Sequence, residues 1–275
     1  MTKPSRHLRG LISAAAELPL VRGAAAGAYR RHFNAVRGTA RLFNGIYPDF
    51  ATALRAVPLD SQIGYDNEPS AERMMGEWLD VHPSDYPVLF WLEKLLPKAR
   101  SVFDWGGNVG IKYFAFRPYL TYPEDLVWTV NDVPAVLGRG EEIARREAAT
   151  ALRFTPDLAG LARAGILLAS GVVQFVEDPF GSLKLAKGLP EHLIFNKVPL
   201  YDASGAVTLH NMGTSFCPYH LFNRKDFIAS IEALGYELRD AWRSPGVSCT
   251  IPFFPERSIE GYSGLYFAKP ARGRT

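Results

Sequence analysis

Residues 101–110 constrain the fold of this chain more than any other segment. The sequence there reads SVFDWGGNVG, an apolar run that ends in an acid and a cluster of glycines. The pattern predicts a buried strand followed by a tight turn into a helix, because Gly106 and Gly107 permit a close backbone approach to a ligand and Gly110 permits close helix packing. The segment is typical of the first strand and nucleotide loop of a Rossmann-like sheet. A strand-to-helix turn that binds no ligand stays open as an alternative.

The glycine spacing distinguishes between adenosine-containing cofactors. A dinucleotide fingerprint G-x-G-x-x-G ending at Gly110 would place a glycine where Trp105 stands. An acid-x-Gly-x-x-x-Gly loop, which commonly holds S-adenosylmethionine, does match the sequence from Asp104 onward. We therefore predict S-adenosylmethionine as the cofactor, bound by a loop that comprises Asp104, Gly106, Gly107, Asn108 and Gly110.

Strand and helix patterns alternate after this loop. Beyond the first strand, further strands are predicted at residues 126–130, 152–155, 165–170, 192–197, 236–242 and 261–268. The run at 165–170 is apolar on both faces, as expected of a central parallel strand. The last elements are a helix, a strand, an irregular loop and a final strand. This order predicts an α/β fold with a seven-stranded, mostly parallel sheet whose last strand is antiparallel.

Polar residues follow several of the predicted strands. Ligands of open α/β sheets bind outside the carboxyl ends of the strands. Asp132, after the second strand, is placed to accept hydrogen bonds from both ribose hydroxyls of an adenosine. Ser170 and Gln174, after the fourth, are candidates for adenine or substrate contacts, and a loop-capping role for Ser170 is an equal alternative.

Several sequence blocks, taken in order, resemble a family of class I S-adenosylmethionine-dependent methyltransferases encoded beside bacterial surface-polysaccharide genes. The match covers roughly residues 43–245 and rests on residues 43–47, 64–66, 104–110, 128–134, 170–175 and 235–238. Three positions depart from the family: Trp105, Asp132 and Lys197 stand where it usually has phenylalanine, glutamate and arginine. The resemblance implies a Rossmann-like class I methyltransferase fold, methyl transfer, and a role in polysaccharide biosynthesis.

The expected chemistry defines the candidate catalytic residues. Methyl transfer from a sulfonium needs an aligned nucleophile and, for a hydroxyl acceptor, a general base, and it requires no metal ion. His210 and His220 lie in a predicted polar loop at residues 201–220, where imidazole titrates in a useful range. We predict His210 as the base in preference to His220, with Asp178 and Lys197 as weaker candidates. The expected acceptor, from the resemblance and the polar loop, is a hydroxyl of a sugar or glycan intermediate.

The first 45 residues carry eight basic side chains and a single acid, Glu17. Pro19 and Arg22 also interrupt the apolar stretch at 11–28, which disfavours a secretory signal and excludes a membrane-spanning helix. A basic amphipathic helix is predicted from apolar residues at helical spacing, namely Tyr29, Phe33, Val36, Ala40 and Phe43. Such a helix docks on the protein's own core or contacts an anionic membrane or a partner, and the sequence leaves both open.

Composition limits the remaining function classes. A net charge of +3 is too small to indicate a nucleic-acid partner. Cys217 and Cys249 have neither the number nor the spacing of a disulfide framework or a zinc site, which favours the cytoplasm, with peripheral contact at the inner membrane left open.

The predicted organisation has three parts: a basic helical extension at residues 1–45, a helical cap at 46–100 and a methyltransferase domain at 101–270. Two other functions stay open. One is a non-catalytic adenosine-binding or scaffold protein at a membrane-associated complex. The other is an NAD-dependent oxidoreductase, which is disfavoured by Trp105 and by the lack of a suitably placed Tyr-x-x-x-Lys pair.

Overall fold

A computed structural model describes residues 19–38, 40–67 and 80–270 of the chain. Its strands are β1 (Leu42–Tyr47), β2 (Ser101–Trp105), β3 (Val127–Asn131), β4 (Leu152–Thr155), β5 (Ile166–Ser170), β6 (His192–Val198), β7 (Leu200–Tyr201), β8 (Ala206–Asn211), β9 (Phe216–Asn223), β10 (Glu237–Ser244) and β11 (Tyr262–Ala268). Its α-helices are α1 (Pro19–Ala35), α2 (Phe50–Arg55), α3 (Tyr86–Ala99), α4 (Ile111–Phe116), α5 (Pro134–Arg146), α6 (Pro179–Leu185) and α7 (Arg224–Glu232).

The larger sheet has seven strands in the order β10-β11-β6-β5-β2-β3-β4. The five strands β2 to β6 pair in parallel, whereas β11 is antiparallel to both β6 and β10. The predicted seven-stranded sheet with a reversed last strand is therefore confirmed. Because β11 is reversed, its first residues lie beside the carboxyl end of β6, with Ser263 opposite Val198.

Side chains of the central strands alternate between two buried cores. Val102 of β2 and Leu168 of β5 face a core that includes Trp128. Phe103 and Leu167 face the opposite core. Successive side chains of a strand point to opposite faces, so a strand covered on both faces must be apolar throughout. This explains why the central run at 165–170 has no polar face.

A second sheet lies where a polar loop is predicted. Its four strands run in the order β1-β8-β9-β7, and β8 and β9 form an antiparallel hairpin within the region of the predicted 201–220 loop. The loop prediction is therefore wrong. The polar residues of β8 alternate with two apolar residues, Val207 and Leu209, which pack in small hydrophobic cores and stabilise a strand. Gly213, with a φ of 84°, lies in the turn that joins the two strands.

The helix predicted from the apolar residues between Tyr29 and Phe43 is correct only for its first part. Helix α1 ends at Ala35, and Phe43 lies in β1. The Nδ2 of Asn211 donates to the carbonyl oxygens of Phe33 and Val36 at 2.6 and 3.2 Å, which satisfies backbone groups at the end of the helix. The chain then turns toward β1.

Helix α1 docks on the second sheet within the described region. The side chain of Phe33 is fully buried against Leu209 and Phe216. Residues 1–18, with much of the predicted basic extension and of the 11–28 stretch, lie outside the described residues. In the described part of the chain, none of the helices combines the length and apolar character that crossing a bilayer requires.

Candidate functional site

A cavity of about 860 Å³ lies at the carboxyl edge of the larger sheet. Its lining extends from Asp132, after β3, to Tyr262, at the start of β11. Four inter-strand spacings separate these strands in the sheet order, a distance of about 19 Å. The cavity is in the upper part of the size range of small-molecule sites.

One half of the cavity, the glycine-loop half, comprises Asp104, Gly106, Gly107, Asn108 and Asp132. Gly106 has a φ of 66°, and a Cβ there would overlap the side chain of Val172. A Cβ on Gly107 would lie 2.5 Å from Cγ of Asp104. Both positions therefore require glycine. Gly110 is the N-cap residue of α4 and is outside the cavity lining.

Asp132 holds the glycine loop in place. Its Oδ2 accepts from the backbone N–H of Asn108 at 2.9 Å, and its Oδ1 accepts from that of Val133 at 2.8 Å. Asn108 adopts a φ of 56°, which asparagine tolerates better than most residues. Burial raises the pKa of Asp132. Each carboxylate oxygen has a second lone pair, so Asp132 retains the capacity to accept from ligand hydroxyls.

Asp104 is a buried acid beneath the loop, with only 1% of its surface exposed. Burial raises its pKa to about 7, although the indole N–H of Trp128 donates to Oδ2 at 3.1 Å and favours the charged form. A cationic group of a ligand placed next to Asp104 would lower this pKa and favour the carboxylate.

Two buried polar atoms that line the cavity have no hydrogen-bond partner within the described residues. They are Oε1 of Gln174 and Oγ of Ser84. An unsatisfied buried polar atom costs about 1–3 kcal/mol. Ser170 also lines the cavity, and its Oγ accepts a long hydrogen bond of 3.4 Å from Nδ2 of Asn196. The cavity wall therefore offers polar groups to a ligand.

A buried charge cluster adjoins the cavity. Asp85 is fully buried, and its two oxygens contact Nζ of Lys112 at 2.7 Å and Nζ of Lys197 at 3.5 Å. Asn196 and the backbone N–H of His82 also donate to Asp85, each at 3.2 Å. Burial and the neighbouring Lys112 ammonium lower the pKa of Lys197 to about 8. Both lysines line the cavity.

The opposite half, the hairpin half, comprises His210, Cys217 and Tyr219 of the β8–β9 hairpin together with Arg41 and Tyr262. His210 and Cys217 are cross-strand partners, so their side chains share a face of the second sheet. The ring of His210 stacks on that of Phe43 at 4.5 Å. Burial raises the pKa of the Cys217 thiol to about 12, which disfavours the reactive thiolate.

Two residues predicted as catalytic candidates, His220 and Asp178, lie outside the lining of this cavity. His220 is an odd number of residues from Cys217 and Tyr219 along β9, so its side chain points to the other face of the strand. Its Nε2 hydrogen-bonds the carbonyl of Glu177 at 3.0 Å. Asp178 caps α6 by accepting from the Gly181 N–H at 2.8 Å. Both residues line a separate, smaller cavity of about 490 Å³.

Solved structures show which fold this arrangement belongs to. The chain is similar to the 1,6-didemethyltoxoflavin-N1-methyltransferase of Burkholderia thailandensis, at 17% identity and a TM-score of 0.50, over 78% of this chain and 95% of that one. It is also similar to the CcbJ methyltransferase of Streptomyces caelestis, at 14% identity and a TM-score of 0.51, over 76% of this chain and 99% of that one. The chain has the Rossmann-like methyltransferase fold. No protein-family model matches the sequence, and no curated protein does.

Within this methyltransferase fold, most of the predicted site residues come together. The cavity lining includes Asp104, Gly106, Gly107, Asn108, Asp132, Ser170, Gln174, Lys197 and His210. Sequence reasoning missed Asp85 and Lys112, because a charged pair 27 residues apart produces no local pattern. It also missed Arg41, which follows Ala40 in the predicted amphipathic helix.

Proposed function

We propose that this protein is an S-adenosylmethionine-dependent methyltransferase that methylates a hydroxyl group of a sugar or glycan intermediate. The observation that carries the proposal is the glycine-loop half of the cavity. Positions 106 and 107 require glycine, because a Cβ there would overlap Val172 or Asp104, and Asp132 fixes the loop through Asn108. The fold and the two methyltransferase structures similar to it support this assignment.

The residues present fit S-adenosylmethionine. Asp132 is available for the ribose hydroxyls, and Asp104 is the buried acid that suits an ammonium group. The unpartnered Oε1 of Gln174 and Oγ of Ser84 offer further hydrogen bonds. When bound, this cofactor supplies a methyl group on a positively charged sulfur. The chain's part in the reaction is then to align the acceptor oxygen and to remove its proton.

We assign proton removal to His210. It is the predicted histidine that reaches the large cavity, and its stacking on Phe43 fixes the ring. As the acceptor oxygen takes the methyl group, the imidazole accepts the hydroxyl proton. Lys197 is a second candidate base, because its pKa of about 8 leaves part of its amine neutral near neutral pH.

The proposal is tested by calorimetric titration of the full chain with S-adenosylmethionine, S-adenosylhomocysteine and NADH. We expect micromolar binding of the two sulfur compounds and no binding of NADH. Asp104→Ala and Asp132→Ala should abolish binding, and Asp104→Asn serves as a milder variant that keeps an acceptor for the Trp128 indole. Asp125→Asn, which changes an exposed acid paired with Arg100, is the control. Binding of NADH alone, or of none of the three, would refute the proposal.

A further inference from the structure

Charged side chains are distributed unevenly along the large cavity. Its acidic lining residues, within the described part of the chain, are Asp104 and Asp132, and both belong to the glycine-loop half. The hairpin half contributes Arg41 and His210. A ligand that extends along the cavity therefore meets carboxylates at one end and a guanidinium at the other.

Arg41 differs from the other cations of the cavity in its partners. Lys112 and Lys197 both contact the carboxylate of Asp85. No carboxylate of the described residues lies within 4.0 Å of the Arg41 guanidinium, which instead lies over the ring of Tyr262 at 5.7 Å. Its side chain is also exposed, so a ligand can reach it.

The surroundings of Arg41 hold it in a defined position. The hydroxyl oxygens of Tyr219 and Tyr262 are 2.6 Å apart in a buried hydrogen bond, which fixes the Tyr262 ring against which Arg41 lies. A planar guanidinium presents parallel N–H donors that match the two oxygens of a carboxylate or phosphate. An arginine held on an aromatic ring loses less conformational entropy when it binds such a group.

We infer that the acceptor is an anionic saccharide, carrying a phosphate ester or a carboxylate that Arg41 binds. This inference rests on the proposed function and names its substrate class. Arg41 binds the anion in the hairpin half, and His210 in the same half faces the hydroxyl. The glycine-loop half, with its two acids, remains for the cofactor. A neutral sugar would leave the guanidinium without an anionic partner.

The test is calorimetric titration of the full chain, saturated with S-adenosylhomocysteine, with glucose 1-phosphate, glucuronate and glucose. The wild type should bind at least one anionic sugar more tightly than glucose, and the better of the two identifies the anion. Arg41→Met should weaken that binding about 10- to 100-fold. The affinity of Arg41→Lys should lie between those of the wild type and Arg41→Met, because lysine keeps the positive charge but lacks the paired N–H donors. Added salt should weaken binding to the wild type.

The matched control is Arg37→Met. Arg37 lies four residues earlier, donates to the carbonyl of Asn34 at 2.7 Å and is outside the cavity lining. The Arg37→Met variant should bind the anionic sugar with the affinity of the wild type. Unchanged thermal unfolding midpoints must show that each variant is folded.

Several results would overturn the inference. One is equal affinity of the wild type for glucose and both anionic sugars, and another is no binding of either anionic sugar at millimolar concentration. The inference also fails if Arg41→Met binds the anionic sugar as tightly as the wild type, or if Lys197→Met loses this binding and Arg41→Met does not. If S-adenosylhomocysteine itself fails to bind, the proposed function fails first. The sugars are then titrated alone, and Arg41-dependent binding there would preserve the anion site while removing its role in methyl transfer.

Discussion

The glycine-loop half and the hairpin half of the cavity differ in how their residues are distributed along the chain. Asp104 to Asn108 are five consecutive positions, and Asp132 follows the neighbouring strand. Arg41, the hairpin residues His210 and Tyr219, and Tyr262 come from three segments that only the folded chain brings together. A site formed by one turn between strand and helix can be recognised in a sequence, whereas a site formed by several segments requires the structure.

The two halves also differ in chemistry. The glycine-loop half offers backbone surface and two acids, which suit a ligand with hydroxyl and ammonium groups. The hairpin half offers aromatic rings, an imidazole and a guanidinium. Variants in one half should therefore change one binding event and leave the other intact.

The largest expected effect is the loss of cofactor binding in Gly106→Ala. The added Cβ would overlap Val172, and a φ of 66° is strained for alanine. We expect no measurable binding of S-adenosylhomocysteine by calorimetry. Gly138→Ala is the control, because a Cβ there meets nothing within 4 Å and alanine favours a helix. Wild-type affinity in a folded Gly106→Ala protein would contradict the cofactor assignment.

In the hairpin half, His210→Ala should lower turnover on a verified acceptor by about 10²- to 10⁴-fold, the usual contribution of a general base. The affinity for S-adenosylhomocysteine should not change, because His210 is in the other half. His220→Ala provides the control, since that side chain faces the smaller cavity. Full turnover by His210→Ala would exclude it as the base and favour Lys197.

Between the two halves, Lys112→Met should raise the pKa of Lys197. Burial and the Lys112 ammonium lower that pKa to about 8, so removing the second positive charge leaves Asp85 to stabilise the Lys197 cation. The measurement is the pH dependence of Lys197 labelling by an amine-reactive reagent, followed by peptide mapping. Lys94→Met, an exposed change on α3, should leave the midpoint unchanged. A midpoint that stays near its wild-type value would disprove this coupling.

The smallest expected effect is a pH-dependent change in stability from Asp104. Its pKa is raised from 3.8 to about 7, so the folded protein retains a proton that the unfolded chain loses. The free energy of unfolding should therefore decrease as the pH rises from about 4 to about 7. Asp104→Asn should remove this decrease. Thermal unfolding midpoints of the two proteins across this range should diverge by several degrees; parallel curves would show that Asp104 does not carry the effect.

The sequence predicts the larger sheet well because its central strands are mostly apolar runs bounded by turns. The run at 165–170 is one example, and the alternation with helices determines their parallel order. The second sheet is harder to predict because Thr208, His210 and Asn211 make β8 polar, like a loop. A signal for it was present: Val207 and Leu209 alternate with these residues, and Gly213 lies in the following turn.

The site is predictable where its contacts are local. The proposed roles of Asp104 and Asp132 follow from their positions at the ends of neighbouring strands. The Asp85–Lys112 pair has no such signal, because each residue looks like an ordinary surface charge until folding buries both. His210 and His220 lie on opposite faces only because β8 and β9 form a hairpin. The sequence alone therefore does not distinguish the positions of the two histidines.

The reversal of β11 has a consequence for how such a protein could diversify. Ser244 at the end of β10 lies opposite Tyr262 at the start of β11, so both ends of the connection between them are at the cavity edge. Its first residues, Pro245 to Val247, line the cavity. Changes in the length or sequence of this connection would alter this wall of the cavity while leaving the glycine loop untouched. On the proposed function, a related protein could acquire a new acceptor by exchanging this one segment, without changes to the part proposed to hold the cofactor.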